Sequence, residues 1–126
     1  MTSCGPELFG ADPANIRWAV VRGDTSILRV DFLENDETTY FDISDWTFAS
    51  SAYDPKTDII DELIVEDFSG YVNIIIPTDI SATWGTTYSG TVAELNFDLK
   101  VTLDGGEIWT PVIGTISVIG NVSNSL

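Results

Sequence analysis

The residues of this chain that could do chemistry are its carboxylates, because histidine is absent and cysteine occurs only once. Without an imidazole, the chain can form neither a Ser-His-Asp nor a Cys-His catalytic arrangement, and it lacks the usual nitrogen ligand of zinc. Cys4 has no candidate base near it in sequence, and no glycine-rich phosphate-binding loop is present. The sequence therefore predicts a non-enzymatic protein with no catalytic, cofactor-binding or metal-binding residue.

Two carboxylates with different pKa values can hydrolyse a glycosidic bond, and one acidic stretch contains several candidates. They are Asp58, Asp61, Glu62, Glu66 and Asp67. Such a site needs one carboxyl group in an apolar pocket, and the spacing singles out no pair. Because acidic side chains are mostly exposed, we interpret these residues as surface groups.

A second acidic group has the oxygen ligands that calcium prefers. Its members are consecutive in sequence: Glu34, Asn35, Asp36 and Glu37. They lack the alternating D-x-D-x-D-G spacing of a calcium-binding loop, so a solvated turn is the favoured interpretation.

Aromatic side chains are numerous enough to form a platform on which sugar rings stack. The candidates are Trp18, Trp46, Trp84, Trp109, Tyr40, Tyr53, Tyr71 and Tyr88. Such residues more often pack in the core or across strands, so a carbohydrate-binding module that uses exposed Trp and Tyr is the alternative function. The tripeptide Arg22-Gly23-Asp24 matches an integrin-binding motif, but a glycine turn between two predicted strands explains it.

Charge is the strongest signal in the composition, with 20 acidic against five basic residues and a formal net charge of −15. The basic residues are scattered: Arg17, Arg22, Arg29, Lys56 and Lys100. A protein that binds nucleic acid or an anionic membrane needs a basic patch, so neither is predicted as a partner. The charge favours a well-solvated surface, and a counter-charged partner is the alternative.

The length of 126 residues predicts one domain, and the 44% hydrophobic content predicts that it folds. No apolar run approaches the roughly 20 residues of a membrane helix, and the start of the chain lacks the pattern of a signal peptide. We therefore expect a soluble protein made inside the cell. Residues 1–15 contain Gly5, Pro6, Gly10 and Pro13 and predict a flexible N-terminal arm before a single domain over residues 16–126.

Alternation of apolar and polar residues predicts strands along most of that domain. The clearest case is a hairpin over residues 91–119, where Leu95, Phe97, Leu99 and Val101 share one face and Asp104-Gly105-Gly106 forms the turn. In the second strand, Ile108, Thr110, Val112, Ile116 and Val118 share a parity.

Three other segments carry specific expectations. Residues 38–43 predict a short strand, and residues 59–68 fit either a helix or a strand, with the strand favoured by the β-branched residues. Residues 78–84 predict one helical turn capped by Thr78 or Asp79. Eight or nine strands separated by turns predict an all-β fold, an antiparallel β-sandwich of about eight strands that is immunoglobulin-like or jelly-roll-like.

Several short motifs follow one another between residues 16 and 122. They are Arg22-Gly23-Asp24-Thr25, Asp42-Ile43-Ser44-Asp45-Trp46-Thr47, the apolar run 72–76, Thr83-Trp84-Gly85 with Tyr88, Asp98-Leu99-Lys100-Val101-Thr102, Asp104-Gly105-Gly106 and Gly114-Thr115-Ile116-Ser117-Val118. In this order they resemble the small β-sandwich domains of tailed-bacteriophage virion proteins, which include the N-terminal domain of the upper baseplate protein and related tail-associated sandwich proteins.

The resemblance implies a structural subunit of a tailed-phage virion, assembled in the host cytoplasm and present in several symmetry-related copies. Because no receptor-binding region follows the sandwich, it implies a stand-alone subunit rather than a complete adsorption protein. Its partners would be other virion proteins of the tail, the baseplate or the capsid surface. We expect sheet edges, loops and the N-terminal arm to make these contacts.

Overall fold

The structure is a computed structural model that describes residues 13–34, 36–85 and 92–120. These residues form seven strands and one short helix. In chain order they are β1 (Ala14–Val21), β2 (Ser26–Asp31), β3 (Thr47–Asp54), β4 (Ile59–Asp67), β5 (Tyr71–Ile76), α1 (Thr78–Ser81), β6 (Val92–Thr102) and β7 (Ile108–Ile119). The all-β prediction is confirmed. At four residues, α1 is far too short to cross a membrane, and the described residues contain no longer helix.

The strands form one mixed sheet in the order β1-β7-β6-β3-β4-β5-β2. The β1–β7 pair is parallel and the other pairs are antiparallel. The sequence predicted an antiparallel arrangement throughout, and the β1–β7 pair departs from it. The two edge strands, β1 and β2, are joined by only the four residues 22–25. Because so short a connection spans at most roughly 18 Å, the sheet must curl until it nearly closes into a barrel. A sandwich of about eight strands is not confirmed.

Strand β4 links the two parts of this curled sheet. Its first half pairs with β3, where Leu63 lies opposite Ser50, and its second half pairs with β5, where Ile64 lies opposite Ile75. The strand predicted over residues 59–68 is therefore confirmed, and the helical alternative is wrong. The β-branched side chains fit the pleated surface of a strand that has neighbours on both sides.

The predicted hairpin is confirmed as β6 and β7, and Leu95, Phe97, Leu99 and Val101 are at most 4% exposed. One irregularity changes the alternation of β7. Leu99 pairs with Val112 and Val101 pairs with Trp109, so β7 contains one residue more than β6 in this interval. Such a bulge accommodates Pro111, which has no N–H to donate to the ladder.

The bulge also reverses which residues of β7 point inward. Trp109 packs against the core, whereas Ile108 is 70% exposed. The sequence pattern grouped Ile108 with the buried Val112, and this grouping is wrong. Inward and outward side chains alternate along a strand only where each residue has one partner on the neighbouring strand, and an extra residue shifts the alternation by one.

Two of the smaller predictions need correction. Residues 38–43 form no strand, and the isolated bridge between Leu33 and Tyr40 replaces it. The helical turn is confirmed as α1, but its N-cap is Pro77 and no side chain caps it, so the predicted cap at Thr78 or Asp79 is wrong.

The start of β1 changes the boundary of the predicted arm. Ala14 pairs with Val112 and Asn15 with Ile113, so both residues belong to the sheet rather than to an arm that ends at residue 15. Residues 1–12, with Cys4, lie outside the described residues, as do Asn35 and Tyr88.

Gly114 shows how closely β1 approaches β7. A Cβ atom at this position would collide with the Ile16 carbonyl oxygen and with the ring of Phe97. The missing side chain lets Ile16 of β1 pair in parallel with Gly114 of β7 and leaves room for the ring of Phe97, which is 4% exposed.

Candidate functional site

The candidate glycosidase carboxylates lie on β4 and the turn before it, but the fold does not assemble them into a pair. Asp61 and Glu62 are neighbours in a strand, so their side chains point to opposite faces of the sheet. Oδ2 of Asp61 accepts a hydrogen bond from Nε1 of Trp84 at 2.8 Å. Glu66 and Asp67 are exposed at the end of β4.

Asp58 has a different structural role in the turn between β3 and β4. Its backbone adopts a positive φ of 61°, and its Oδ1 accepts a hydrogen bond from the Tyr53 hydroxyl at 2.9 Å. This bond holds the pKa of Tyr53 above its usual value. The bond fixes the Tyr53 ring against the turn.

In the acidic turn, the carboxylate of Asp36 is bonded to residues of the same turn. Asp36 accepts hydrogen bonds from the hydroxyl and backbone N–H of Thr39 and from the backbone N–H of Thr38. These donors, above all the Thr39 hydroxyl, lower the pKa of Asp36 from 3.8 to about 2. The described residues contain no group of three or more potential metal ligands.

The four tryptophans belong to the interior or its margin rather than to an exposed platform. Trp18 and Trp84 are 8% and 3% exposed, and Trp18 packs edge-on against Phe97 with ring centroids 5.6 Å apart. Trp46 and Trp109 belong to an aromatic cluster in which neighbouring ring centroids lie 5.5–6.3 Å apart. The other members of that cluster are Phe32, Phe41 and Phe48.

The Arg22-Gly23-Asp24 tripeptide is a turn in which the Arg22 side chain and the backbone of Gly23 and Asp24 form hydrogen bonds within the fold. Gly23 has a φ of 90°, and its N–H donates to Oγ of Ser81 at 3.0 Å. Oγ of Ser81 in turn donates to the Asp24 carbonyl at 2.9 Å, and Nε of Arg22 donates to the Trp84 carbonyl at 2.8 Å. The interpretation of Gly23 as a turn former is confirmed.

A groove of about 510 Å³ crosses the outer face of β7, β6 and β3, and we call it the outer polar groove. Two adjacent rows of paired residues form its floor: Thr115, Asn96 and Tyr53 in one, and Ile113, Asp98 and Ser51 in the other. Asn15 of β1 and Ile60 of β4 also line it.

The shape of the outer polar groove follows from the sizes of these side chains. Ser51 and Thr115 are short, whereas Tyr53 and the 66% exposed Ile60 stand higher beside them. Amide, hydroxyl and carboxylate groups therefore lie next to an aromatic ring and an aliphatic side chain. This combination suits a polyhydroxylated ligand such as a sugar, because one face of a sugar ring is apolar and its edge carries hydroxyl groups.

A second feature of the outer surface is apolar. Ile27, Ile75 and Ile64 are directly paired across β2, β5 and β4, and their side chains form an isoleucine stripe on the outer face. Ile27 is 58% and Ile64 46% exposed. Ile75, between them, is partly buried. Exposed apolar side chains that lie next to one another, rather than scattered singly, mark contact surfaces.

The basic residues lie on different elements and do not combine into a patch within the described residues. Nη1 of Arg17 donates to Oε2 of Glu94 at 2.9 Å, and Nε of Arg29 donates to Oδ1 of Asp31 at 2.9 Å. The Arg29 guanidinium also lies 3.7 Å from the centroid of the Tyr71 ring. The absence of nucleic-acid and membrane partners stays a prediction.

The sequence pattern contained only part of these two surfaces. The alternation of Leu95, Phe97 and Leu99 implies that the residues between them, Asn96 and Asp98, lie on the polar side of the strand. Their juxtaposition with Tyr53 and Ser51 depends on the register between β3 and β6. The isoleucine stripe similarly depends on the pairing of β5 with both β2 and β4.

No protein-family model matches this chain, and no curated protein matches it significantly. The relationship to phage virion proteins therefore stays a prediction from the order of the sequence motifs.

Proposed function

We propose that the chain is a non-enzymatic structural subunit of a tailed-phage virion, located in the tail or baseplate or on the capsid surface. In this proposal the subunit is present in several symmetric copies and docks on neighbouring virion proteins. The two parts of the sheet that meet at β4 act as the two layers of the predicted immunoglobulin-like or jelly-roll-like sandwich. The order of the sequence motifs supports the assignment to a phage particle.

The observation that carries the docking role is the isoleucine stripe. Its three side chains come from adjacent strands, so they form a continuous apolar surface rather than scattered exposed residues. Burial of exposed isoleucine against a neighbouring protein contributes about 25 cal/mol for each square ångström removed from water. The net charge of −15 keeps the rest of the surface solvated and opposes nonspecific association.

Incorporation into particles tests this function directly. In the phage that encodes the chain, quantitative mass spectrometry of density-purified particles should find the wild-type protein in many copies per particle. The double variant Ile27→Thr with Ile64→Thr should be incorporated at least about ten times less, because threonine keeps the β-branched shape but weakens apolar contact. Absence of the wild-type protein from purified particles would contradict the proposal.

A matched control is available on the same sheet. Ile108 is 70% exposed, but it lies at the start of β7 and outside the isoleucine stripe. Ile108→Thr should therefore leave incorporation unchanged. Equal loss for this variant and the double variant would indicate that general surface hydrophobicity matters rather than the stripe.

The second candidate function is carbohydrate binding, and one observation favours it: the outer polar groove places Tyr53 beside amide, hydroxyl and carboxylate groups. The ligand would be an uncharged glycan, because Asp98 lies in the groove and the whole chain is strongly acidic. The binding residues would include Tyr53 but none of the four tryptophans.

A further inference from the structure

The two edges of the sheet face each other without pairing. Among the described residues, β1 pairs only with β7, and β2 pairs only with β5. The strand directions make β1 and β2 antiparallel, as in a hairpin, and residues 22–25 connect them. The hydrogen bond from the Gly23 N–H to Oγ of Ser81 anchors this connection beside α1. The gap between the strands is therefore closed at one end and open at the other.

At the open end lies a groove of about 350 Å³, which we call the seam groove. Its apolar lining comes from both edges and from β7: Ala14, Val30, Phe32, Leu33, Trp109, Pro111 and Val112. The inward-facing Leu28 and Val30 of β2 stay partly exposed, whereas Val72 and Ile74 of the neighbouring β5 are 0% exposed. The core is thus less completely covered beneath β2 than beneath β5, whereas Trp18 and Val20 of the opposite edge strand β1 are buried.

These features suit an extended segment better than a small molecule. Each edge strand can offer backbone N–H and C=O groups to an added strand, and the apolar floor can receive alternate side chains of that strand. An added strand between β1 and β2 would complete the closure of the sheet. Acidic residues at the rim, including Glu34 and Glu37, make a strongly acidic segment a poor occupant.

The chain itself contains a segment with suitable properties. Residues 1–12 lead into Pro13 and Ala14, and Ala14 lines the seam groove. This segment contains the adjacent apolar residues Leu8 and Phe9 and only two acidic residues, Glu7 and Asp12. Fully extended, 12 residues reach roughly 40 Å, which is enough to reach a neighbouring copy.

Insertion into the same copy would require the chain to reverse direction just before β1. Pro13 disfavours the helical conformation at Asp12 that a type I turn needs, so a tight reversal there is unfavourable. An extended chain that leads away from the first strand residue needs no helical conformation at Asp12, so Pro13 does not oppose it. The segment is therefore better placed to enter the groove of a second copy than its own.

We propose that residues 1–12 of one copy insert as an extended strand into the seam groove of a second copy, with Leu8 or Phe9 against the apolar floor. The contact lies between copies of this chain, so it does not depend on whether the complete assembly is a phage particle. It also differs from the isoleucine stripe, which lies on the outer face of β2, β5 and β4.

Cys4 gives a specific probe, because it is the only cysteine of the chain and lies in the inserting segment. The full chain, labelled at Cys4 with a maleimide photo-crosslinker, is prepared in ¹⁴N and ¹⁵N forms, and the two forms are mixed before illumination. Crosslinks should map to β2, to residues 32–34 or to β7, and half should join chains of different isotope. Crosslinks confined to single chains, or mapping elsewhere, would overturn the proposal.

Mass measurement by light scattering provides a second test that does not require the label. The full chain should show a mass of at least twice 13.8 kDa at micromolar concentration, and deletion of residues 1–12 should return it to one chain mass. Leu8→Asp with Phe9→Asp should have the same effect, whereas the control Thr2→Asp with Ser3→Asp should stay associated. A full chain that remains monomeric at 100 µM would refute exchange between copies.

Discussion

Nε1 of Trp84 donates a hydrogen bond to Oδ2 of Asp61 at 2.8 Å, and this bond joins the segment after α1 to β4. Trp84 is 3% exposed, so the bond forms at the margin of the core. It gives both residues a structural role in the fold. The buried indole is not exposed as a sugar platform, and the carboxylate satisfies the N–H group of that indole.

Removal of this bond should destabilise the protein. Trp84→Phe keeps an aromatic ring but leaves the Asp61 carboxylate without its indole donor, and the expected loss in the free energy of unfolding is about 2 kcal/mol. Asp61→Asn retains an acceptor oxygen and should cost less. Urea unfolding of both single variants and of the double variant measures the coupling energy. Strictly additive losses would show that the two residues do not interact.

Replacement of Gly114 tests the close approach of β1 to β7. In Gly114→Ala the added Cβ would collide with the backbone of Ile16, so β1 must shift, and we expect a loss of about 3 kcal/mol in the free energy of unfolding. The adjacent Thr115 faces the outer surface, and Thr115→Ala should cost less than about 1 kcal/mol. Similar unfolding midpoints for the two variants would contradict the parallel pairing of β1 and β7.

The acidic turn predicts a specific pH dependence. The pKa of Asp36 is lowered to about 2 by donors that favour its charged form, so the carboxylate stabilises the turn fully above pH 4. As the pH falls through about 2, the carboxylate is protonated and this contribution is lost. In Thr39→Val the pKa should rise toward 3.8, because the hydroxyl is the strongest donor. Carbon-detected NMR titration measures the shift.

Thr38→Val is the matched control for that titration, because the Thr38 side chain contributes least to the lowered pKa. The backbone donors of Thr38 and Thr39 remain in both variants, so neither should restore 3.8 completely. A larger change for Thr38→Val than for Thr39→Val would show that the turn is organised differently.

Local patterns were sufficient to predict most strands. The β6–β7 hairpin, the β-branched strand β4 and the glycine turn at Gly23 each depend on neighbours within a few residues, and all three are present. The isolated bridge at Tyr40 replaced a predicted strand, because β-rich composition alone does not supply a pairing partner.

The parts that were not predicted depend on contacts between distant residues. The parallel pairing of β1 with β7 joins residues about 100 positions apart, and no local pattern indicates it. The same holds for the hydrogen bond between Trp84 and Asp61, which joins residues 23 positions apart. The outer polar groove likewise requires the register of β3 against β6, which side-chain alternation does not determine.

Substitution of Tyr53 tests whether the outer polar groove binds carbohydrate. If the outer polar groove binds an uncharged glycan, Tyr53→Ala should weaken binding at least about tenfold, equivalent to about 1.4 kcal/mol, because the ring would no longer stack on the sugar. Tyr53→Phe loses the hydrogen bond to Asp58. Because it keeps the ring, it should retain most of the affinity. Glycan arrays identify the ligand, and NMR titration measures the affinity.

Tyr40 is the matched control, because an effect on affinity at Tyr53 but not at Tyr40 would locate the binding surface in the outer polar groove. Tyr40 is 43% exposed and packs over Gly70, away from the outer polar groove, so Tyr40→Ala should bind as the unmodified protein does. Sialylated glycans should bind more weakly than neutral ones, because Asp98 and the net charge of −15 repel a carboxylate. If no glycan shifts the amide resonances of Asn96 or Asp98 at millimolar concentration, the groove is not a sugar site and only the docking role remains.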